Sequence, residues 1–345
     1  MKSVSDVGEF KLINSLTSKL NKYLPRSVLG VGDDCAVLPL NVLSENVNSS
    51  KLIVTTDTLV ENVHFKWNFT SAKDLGWKIL AVSISDIAAM GGVPKAALIN
   101  LKVQKNLPVE ILEEIYAGFK ELLDIYQIDL IGGDTVGAEE NSFTATLLGV
   151  CERPPLLRSG AQIGDDLWVS GEIGAAFCGL YCLKEEITSV SSLANFVRAY
   201  NRPQPRVELA QALSEKHLVN SMLDISDGLL QDASHISEES GVSIMIKDKD
   251  IPLALGYQEL NLDVSNLMTG GDDYELLFSA PKENTAEILA LSEKLKIKLS
   301  KIGEVQAKKG ELLFIESEAK LLTAVEYLKT RGMNNLGYSH FTPHE

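Results

Sequence analysis

Apolar positions in the first half of the chain follow two different periodicities. Spacings of three and four residues predict helices over 72–90 and 109–126. Short apolar runs between turn residues predict strands. These strands cover residues 52–56, 96–103, 128–131 and 142–150. We expect the third of them to be a short buried strand that leads directly into Gly132 and Gly133.

The second half of the chain has the same mixture of strands and helices. Strands are predicted at 167–170, 222–225, 274–280 and 311–315, and helices after Gly174, over 205–217 and over 227–240, where Gly241 ends the last one. Two polar segments, 184–200 and 248–268, are expected to be loops. The run Glu152-Arg153-Pro154-Pro155 is the best candidate for a domain boundary. The pattern predicts two α/β or α+β halves, a domain over residues 1–152 and another over 153–345.

The charge of the chain restricts its partners. Its 345 residues carry 32 Lys and Arg against 47 Asp and Glu, a net charge of −15. No basic stripe is present that could neutralise nucleic-acid phosphates or bind an anionic membrane surface, so we expect neither partner. A phosphate-bearing substrate would have to be recruited through metal cations. The acidic residues are therefore the candidate ligands for such cations.

The cysteines and the apolar runs indicate a reduced, cytoplasmic protein. No window approaches 18 continuous apolar residues, and the N-terminal stretch has no apolar signal region. The four cysteines are too scattered for a disulfide framework. Cys178 and Cys182 have a spacing that a metal pair could use, but apolar residues surround them and no other Cys or His is close in sequence. We expect both to be buried thiols.

Aspartates recur where predicted strands end or glycine turns begin, which is where open α/β sheets collect ligands. Any single one fits a turn or a helix N-cap, and Asp227 fits an N-cap in any event. The repetition instead favours Mg²⁺, which binds carboxylate oxygens together with substrate phosphates. The set comprises Asp33, Asp34, Asp57, Asp134, Asp224, Asp227, Asp272 and Asp273.

Asp86 is the most informative single residue. It is the only charge between Ile79 and Met90 on a predicted helix, where it shares the apolar stripe. A carboxylate in that position is costly unless it is paired or bound to a metal. The alternative to a metal is a salt bridge to a lysine such as Lys73 or Lys78, neither of which lies on the stripe.

Common catalytic signatures are missing from the sequence. There is no P-loop, no His-Glu-x-x-His zinc motif, no Gly-x-Ser-x-Gly elbow and no Cys/His nucleophile pair. Gly30-Val31-Gly32 could open a dinucleotide fingerprint, but the third glycine is absent and two aspartates follow. With five histidines in the chain, a metal–phosphate mechanism is favoured over a histidine mechanism.

Nine blocks of sequence, in order from residue 8 to about residue 341, closely resemble the thiamine-monophosphate kinases. A single Gly-Asp-Asp would mean little, but together the blocks cover nearly the whole chain. They are Gly8-Glu9-Phe10, residues 30–36, residues 55–60 with His64-Phe65, residues 85–91, 131–135, 158–161, 224–229 and 270–276, and Gly337-Tyr338.

The resemblance implies a fold and a reaction. The fold is α+β, a two-domain architecture of the aminoimidazole-ribonucleotide-synthetase type with mixed sheets flanked by helices, homodimeric through the N-terminal domain. The reaction transfers the γ-phosphoryl group of ATP to thiamine monophosphate with several Mg²⁺ ions, giving thiamine diphosphate and ADP. Since the acceptor oxygen is already ionised near neutral pH, no catalytic base is required.

The resemblance also implies the site residues. Metal ligands would be Asp34, Thr55, Thr56, Asp57, Asp86, Asp134, Asp224 and Asp227. Contacts to ATP would come from Gly133, Asp134, Arg158, Ser226 and Tyr116. The thiamine-phosphate pocket would be lined by His64, Asp272 and Tyr338, although position 272 is often Glu in the family.

Two other functions remain open. One is another ATP-using enzyme of the same superfamily, such as aminoimidazole ribonucleotide synthetase or selenophosphate synthetase. The latter needs a reactive N-terminal cysteine in a Gly-rich segment, whereas Cys35 lies inside an aspartate block. The other is a non-catalytic protein that binds nucleotide or metal, whose mark would be binding without product.

Overall fold

The fold is described from a computed structural model, which covers residues 34–39, 51–308, 310–318 and 320–340. The Gly8-Glu9-Phe10 block, the Gly30-Val31-Gly32 stretch and Asp33 lie outside the described residues. Within the described part, two mixed sheets are each flanked by helices.

A five-stranded sheet forms the first half of the chain, in the order β1-β2-β5-β3-β4. Its strands are β1 (Ala36–Pro39), β2 (Lys51–Val60), β3 (Val93–Gln104), β4 (Asp129–Ala138) and β5 (Ser142–Cys151). Neighbouring strands run antiparallel except β3 and β4, which are parallel. Helices α1 (Ala72–Ala89) and α2 (Val109–Tyr126) follow β2 and β3, as the periodicity predicts.

Helix α1 lies between the sheet and α2, and it is buried on nearly every side. Its start is fixed by Ser71, whose hydroxyl accepts the Asp74 N–H at 3.1 Å. Gly76 and Gly118 permit the close approach of α1 and α2. A Cβ at Gly76 would lie 2.0 Å from the Ile115 carbonyl oxygen, so no larger residue fits at that crossing.

Strand β4 differs from its prediction. The apolar run at 128–131 indicates a short buried strand, but β4 continues to Ala138, and every residue before Ala138 is exposed. The physical reason is its place at the edge of the sheet, with β3 on one side. Leu130, Ile131 and Val136 are exposed there.

A seven-stranded sheet forms the second half, in the order β12-β11-β8-β10-β6-β9-β7. Its strands are β6 (Asp166–Ser170), β7 (Ser221–Asp224), β8 (Ser243–Lys247), β9 (Leu276–Ala280), β10 (Leu299–Gln306), β11 (Leu313–Ser317) and β12 (Lys320–Thr323). The helices are α3 (Ala175–Lys184), α4 (Leu193–Asn201), α5 (Val207–Glu215), α6 (Leu229–Ser240), α7 (Val264–Thr269), α8 (Thr285–Leu295) and α9 (Ala324–Lys329).

The loop predictions for 184–200 and 248–268 are wrong in part, since α4 and α7 lie within them. Helix α4 buries Phe196 and Tyr200, four residues apart, so its apolar face is too narrow to stand out in a polar segment. Gly241 ends α6 in a left-handed conformation, as predicted. Cys178 and Cys182 are buried thiols, also as predicted.

The two halves share packing across α1. One hydrophobic cluster contains residues of α1 together with Leu213 of α5 and Phe278 of β9. Trp77 of α1 donates its indole N–H to the Pro203 carbonyl at 2.7 Å. Helix α1 therefore packs against both halves of the molecule. Among the described helices, none combines the length and apolar character required to cross a bilayer.

Candidate functional site

Three of the predicted metal ligands meet where the two halves join. Asp34 lies two residues before the start of β1, Asp86 lies on α1, and Asp224 is the last residue of β7. Each contributes a carboxylate oxygen to a group in which all the oxygens lie within 4.8 Å of one another. We call these three residues the carboxylate cluster. Oxygen ligands at such separations suit a divalent cation.

Among the residues that the structure describes, no lysine pairs with Asp86. The Thr55 hydroxyl donates to Asp86 Oδ2 at 2.5 Å. Lys78 pairs with Asp272 at 2.8 Å, and Lys73 pairs with Glu121 at 2.6 Å. The salt-bridge alternative for Asp86 is therefore wrong with respect to the two lysines considered.

Burial and mutual repulsion favour the protonated forms of Asp86 and Asp224. Burial, and then the charge of Asp34, raise the pKa of Asp224 to about 8. Burial, followed by the charges of Asp57 and Asp224, raises the pKa of Asp86 well above its ordinary value. Arg158 donates to Asp34 Oδ1 at 2.7 Å and supplies one positive charge beside these carboxylates. With all three carboxyl groups ionised, the carboxylate cluster would hold three negative charges beside the positive charge of Arg158.

Strand alternation separates the neighbouring predicted ligands on β2. Thr55 contacts Asp86, and Asp57 accepts the Ser83 hydroxyl at 2.6 Å, so both side chains face α1. Thr56 points the other way, with its hydroxyl 3.1 Å from the Ala145 carbonyl. The expectation that this block lies at the end of a strand is wrong, because β2 continues to Val60.

The loop from Asp224 to Gly228 is wrapped around one buried carboxylate. Asp232 Oδ2, on α6, accepts the N–H groups of Ser226, Asp227 and Gly228, each at 3.1 Å. The prediction that Asp227 is the N-cap of α6 is therefore wrong. Gly228 holds that position, with a φ of 123°. Only glycine adopts this conformation easily. Asp232 thus fixes the backbone of the loop that presents Asp227.

The residues predicted to line the acceptor pocket lie near one another. The ring of His64 lies 5.0 Å from that of His340, whose Nδ1 is 3.3 Å from the Tyr338 hydroxyl. The negative charge of Asp272 also acts on His64. Burial, and then the charge of His340, lower the pKa of His64 to about 4. His64 Nδ1 accepts the Val60 N–H at 3.0 Å, so the neutral ring carries its proton on Nε2.

The residues predicted to contact ATP fall into two places. Arg158 lies beside the carboxylate cluster and Ser226 in the adjacent loop. Tyr116, half exposed on α2, packs against Phe119. Gly133 and Asp134 lie within β4, whose residues at these positions are exposed, rather than at its end. The group that Asp34, Asp86 and Asp224 form does not include Asp134. The roles of all five residues toward ATP stay predictions.

Two buried charged residues were not assigned to the site from the sequence. Asp232 follows Leu229 by three residues and precedes Ile236 by four, so it is a charge on the buried stripe of α6. That is the same signal that singled out Asp86. The sequence suggests Lys78 only as a possible partner for Asp86, whereas its partner in the structure, Asp272, is 194 residues away in sequence. Pairings over such separations leave no local pattern.

Comparison with known protein families and relatives places these residues in context. Residues 32–151 match the N-terminal domain of AIR synthase related proteins, and residues 162–316 match the C-terminal domain. The chain is 34% identical to the thiamine-monophosphate kinase of Bacillus subtilis, over 97% of this chain and all of that protein. It is 33% identical to the thiamine-monophosphate kinase of Aquifex aeolicus, over 91% and 96% of the two chains.

A solved structure of AaThiL complexed with AMPPCP and TMP has the same fold. The two superpose with a TM-score of 0.82 at 29% identity, over 99% of each chain. The aminoimidazole-ribonucleotide-synthetase-type fold expected from the sequence blocks is thereby confirmed. The family matches also cover both sides of the carboxylate cluster, Asp34 and Asp86 in the first and Asp224 in the second.

Proposed function

We propose that this protein phosphorylates thiamine monophosphate with ATP. The premise is its family, since the chain belongs to the thiamine-monophosphate kinases among the AIR synthase related proteins. The products would be thiamine diphosphate and ADP. The observation that carries the proposal is the carboxylate cluster, which lies at the junction of the two halves. The backbone N–H groups of two candidate acceptor residues, Asp272 and Tyr338, donate to carbonyls of the loop that follows Asp224. The relative described with AMPPCP and TMP supports this choice of donor and acceptor.

The decisive experiment is an incubation of the protein with MgATP and thiamine monophosphate, followed by chromatography for thiamine diphosphate. Formation of the product in proportion to enzyme supports the proposal. A folded protein that binds ATP and forms no product would contradict it and would favour the non-catalytic alternative. Activity on a different acceptor would favour another enzyme of the superfamily.

The residues of the cluster fit Mg²⁺, and we propose that several such ions bind here. The donors are carboxylate oxygens, together with the Thr55 hydroxyl beside Asp86. Mg²⁺ prefers this donor set and normally shares it with substrate phosphates. Bound ions would supply the positive charge that two phosphate groups need in order to approach each other. Arg158 of this chain adds a fixed positive charge beside Asp34.

ATP binding is expected to require a divalent cation. Without one, the polyphosphate would meet Asp34, Asp86 and Asp224 with Arg158 as the nearby positive group, and like charges would repel it. Titration calorimetry with ATP should show binding with Mg²⁺ and at least a tenfold weaker affinity in excess EDTA, a difference of about 1.4 kcal/mol. Equal affinity in the two buffers would contradict the metal proposal.

The chain itself aligns the two substrates and offers a hydrogen bond to the acceptor. The acceptor oxygen is already ionised, so the protein must hold donor and acceptor in line rather than remove a proton. Asp232 keeps the loop with Ser226 and Asp227 in one conformation. The neutral ring of His64 offers its Nε2–H as a donor without adding charge, which suits an acceptor whose thiazolium ring is cationic.

His64→Ala and Tyr338→Ala are expected to raise the KM for thiamine monophosphate more than the KM for ATP. The two side chains are linked through His340, and both are assigned to the acceptor rather than to ATP. Loss of a hydrogen-bonding or stacking group at a binding surface costs roughly 1 kcal/mol or more, about a fivefold rise in KM. Steady-state kinetics with each substrate varied in turn measures the two effects. Equal losses for both substrates would indicate a structural role.

We also propose that the protein is a homodimer joined along β4. In the described part of the chain this strand is the edge of its sheet, with β3 as its neighbour on one side, and it carries the exposed apolar side chains of Leu130, Ile131 and Val136. Such an edge invites pairing with another chain unless it is covered. Ile131→Lys is therefore expected to convert a dimer to a monomer, whereas Leu255→Lys, which is exposed on the other half, should not. Light scattering after gel filtration distinguishes these masses, and a monomeric wild-type chain would contradict the proposal.

The division into domains at residues 152 and 153 and the cytoplasmic location stay predictions. The first is supported by the two sheets, since the five-stranded sheet ends at Cys151 and the seven-stranded sheet begins at Asp166. Limited proteolysis within 152–165 would test it.

A further inference from the structure

Lys78 is a fully buried lysine that joins the two halves of the molecule. It lies on α1 with 1% of its side chain exposed. Its Nζ is 2.8 Å from Asp272 Oδ2, on the loop before β9. The same Nζ lies 3.8 Å from the ring centroid of Tyr200, on α4. One ammonium group therefore contacts a carboxylate and an aromatic face that belong to the other half.

Stability alone does not account for a lysine in this position. Removing an ammonium group from water is costly, and a buried ion pair is often no more stable than apolar residues of the same volume. The neighbours of Lys78 on α1, Trp77 and Ile79, are buried apolar residues. The other buried positions of this helix are mostly apolar, so its packing does not itself require a charge. The charge calls for a role in which Asp272 must be held at a particular place.

The loop of Asp272 is held in an unusual conformation. Asp272 has a φ of 72° and Tyr274 a φ of 50°, the left-handed region that residues with side chains seldom adopt. Their N–H groups donate to the carbonyls of Ser226 and Ile225, both at 2.8 Å, which ties this loop to the one beside the carboxylate cluster. Strained backbone of this kind persists where the surroundings enforce it, and it is concentrated at functional sites.

Both oxygens of Asp272 have a defined partner. Lys78 binds Oδ2, and the Tyr274 hydroxyl donates to Oδ1 at 3.2 Å. The Asp272 side chain is nevertheless 35% exposed, so the remaining acceptor positions of its carboxylate can face a ligand. Lys78 and Tyr274 thus fix the orientation of a carboxylate that still faces solvent.

Lys78 also supports His64 through Tyr200. The Tyr200 ring lies against the ammonium group, and its hydroxyl donates to the His64 carbonyl at 3.1 Å. The two acceptor-side residues, Asp272 and His64, are therefore both connected to the same lysine, one directly and one through an aromatic ring.

We propose that Lys78 is a positioning residue for the acceptor, which fixes Asp272 by an ion pair and His64 through Tyr200. This inference rests on the proposed function, because it assigns the two residues to the thiamine-monophosphate side. The Lys78 and Asp272 side chains are assigned to the acceptor and not to ATP, so we expect their loss to affect the KM for thiamine monophosphate more than the KM for ATP.

A double-mutant cycle with Lys78→Met and Asp272→Asn tests the proposal. Each single variant is expected to raise the KM for thiamine monophosphate by about tenfold or more and to change the KM for ATP by less than about twofold. The double variant should resemble the worse single variant, because both substitutions remove the same arrangement. Lys120→Met, at an exposed lysine of α2, is the control and should match the wild-type chain.

Several results would overturn the proposal. Equal rises in both KM values would show that Lys78 only stabilises the fold, and multiplied effects in the double variant would show that Lys78 and Asp272 act independently. If Lys78→Met does not fold, Tyr200→Phe keeps the ring and removes the bond to His64. It should raise the KM for thiamine monophosphate about threefold with no change for ATP, and an unchanged KM would overturn the proposal. A wild-type chain that forms no thiamine diphosphate refutes the proposed function, whereas an active one with unselective variants refutes only the role of Lys78.

Discussion

Asp86→Asn is expected to lower turnover by about 10²-fold or more without destabilising the metal-free protein. Asn keeps the size of the side chain and can still accept the Thr55 hydroxyl, but it removes one negative charge beside Asp34 and Asp224. Relief of that repulsion should leave metal-free stability unchanged or raised by roughly 0–2 kcal/mol. Loss of a metal ligand removes charge stabilisation worth several kcal/mol in the transition state.

Thermal melting in EDTA and turnover per folded molecule, measured on one preparation, check both parts of this result. Asp124→Asn is a matched control, because Asp124 is an exposed helical aspartate paired only with Lys120 of its own helix among the contacts described. A buried salt bridge at Asp86 would give the opposite outcome, a loss of about 3–5 kcal/mol with nearly normal activity. A destabilised but fully active Asp86→Asn variant would thus contradict the assignment of a metal.

Asp232→Ala is expected to destabilise the protein by about 3 kcal/mol or more, because three backbone N–H groups lose their shared acceptor. The loop that carries Ser226 and Asp227 would then have no fixed conformation. Turnover per folded molecule should fall by about tenfold or more, since small displacements of positioning groups can cost up to about 10²-fold. Denaturant unfolding and steady-state kinetics measure the two effects.

Asp232→Asn should lie between the wild-type chain and Asp232→Ala, because its amide oxygen can still accept the same N–H groups without the charge. Asp124→Ala, which removes an exposed carboxylate of α2, should change stability by no more than about 0.5 kcal/mol. If Asp232→Ala melts with the wild-type protein and keeps its activity, the loop does not depend on Asp232.

Local patterns predicted the elements whose apolar faces are regular. The bounds of α2 agree with its prediction at both ends, and α1 ends one residue before the predicted Met90. The prediction failed where the environment, rather than the pattern, decides the burial. The apolar residues at 128–131 read as an inner strand, because a sequence does not show that β4 has a neighbour on one side only.

The candidate site was predictable to the extent that a single residue looked out of place. Asp86 is a charge on a buried stripe, and the structure puts it beside Asp34 and Asp224. The pairing of Lys78 with Asp272 could not be read in the same way, because it depends on how α1 meets a loop from the other half. A charge among regularly spaced apolar positions thus identifies an unusual residue from the sequence, whereas the partner of that residue is set by the tertiary packing.

The raised pKa of Asp224 makes cation uptake at the carboxylate cluster a proton-exchange reaction. With a pKa of about 8 in the folded protein against an ordinary value of 3.8, this carboxyl retains a proton over much of the interval between them. A cation that binds there must displace that proton, so binding would acidify a weakly buffered solution and its apparent affinity would increase with pH until about 8. For the metal-free chain the sign is reversed: the folded state holds protons that the unfolded state releases, so its stability decreases as the pH rises through the same interval. Protons and cations thus compete for the same oxygens, and either of them reduces the repulsion between the neighbouring carboxylates.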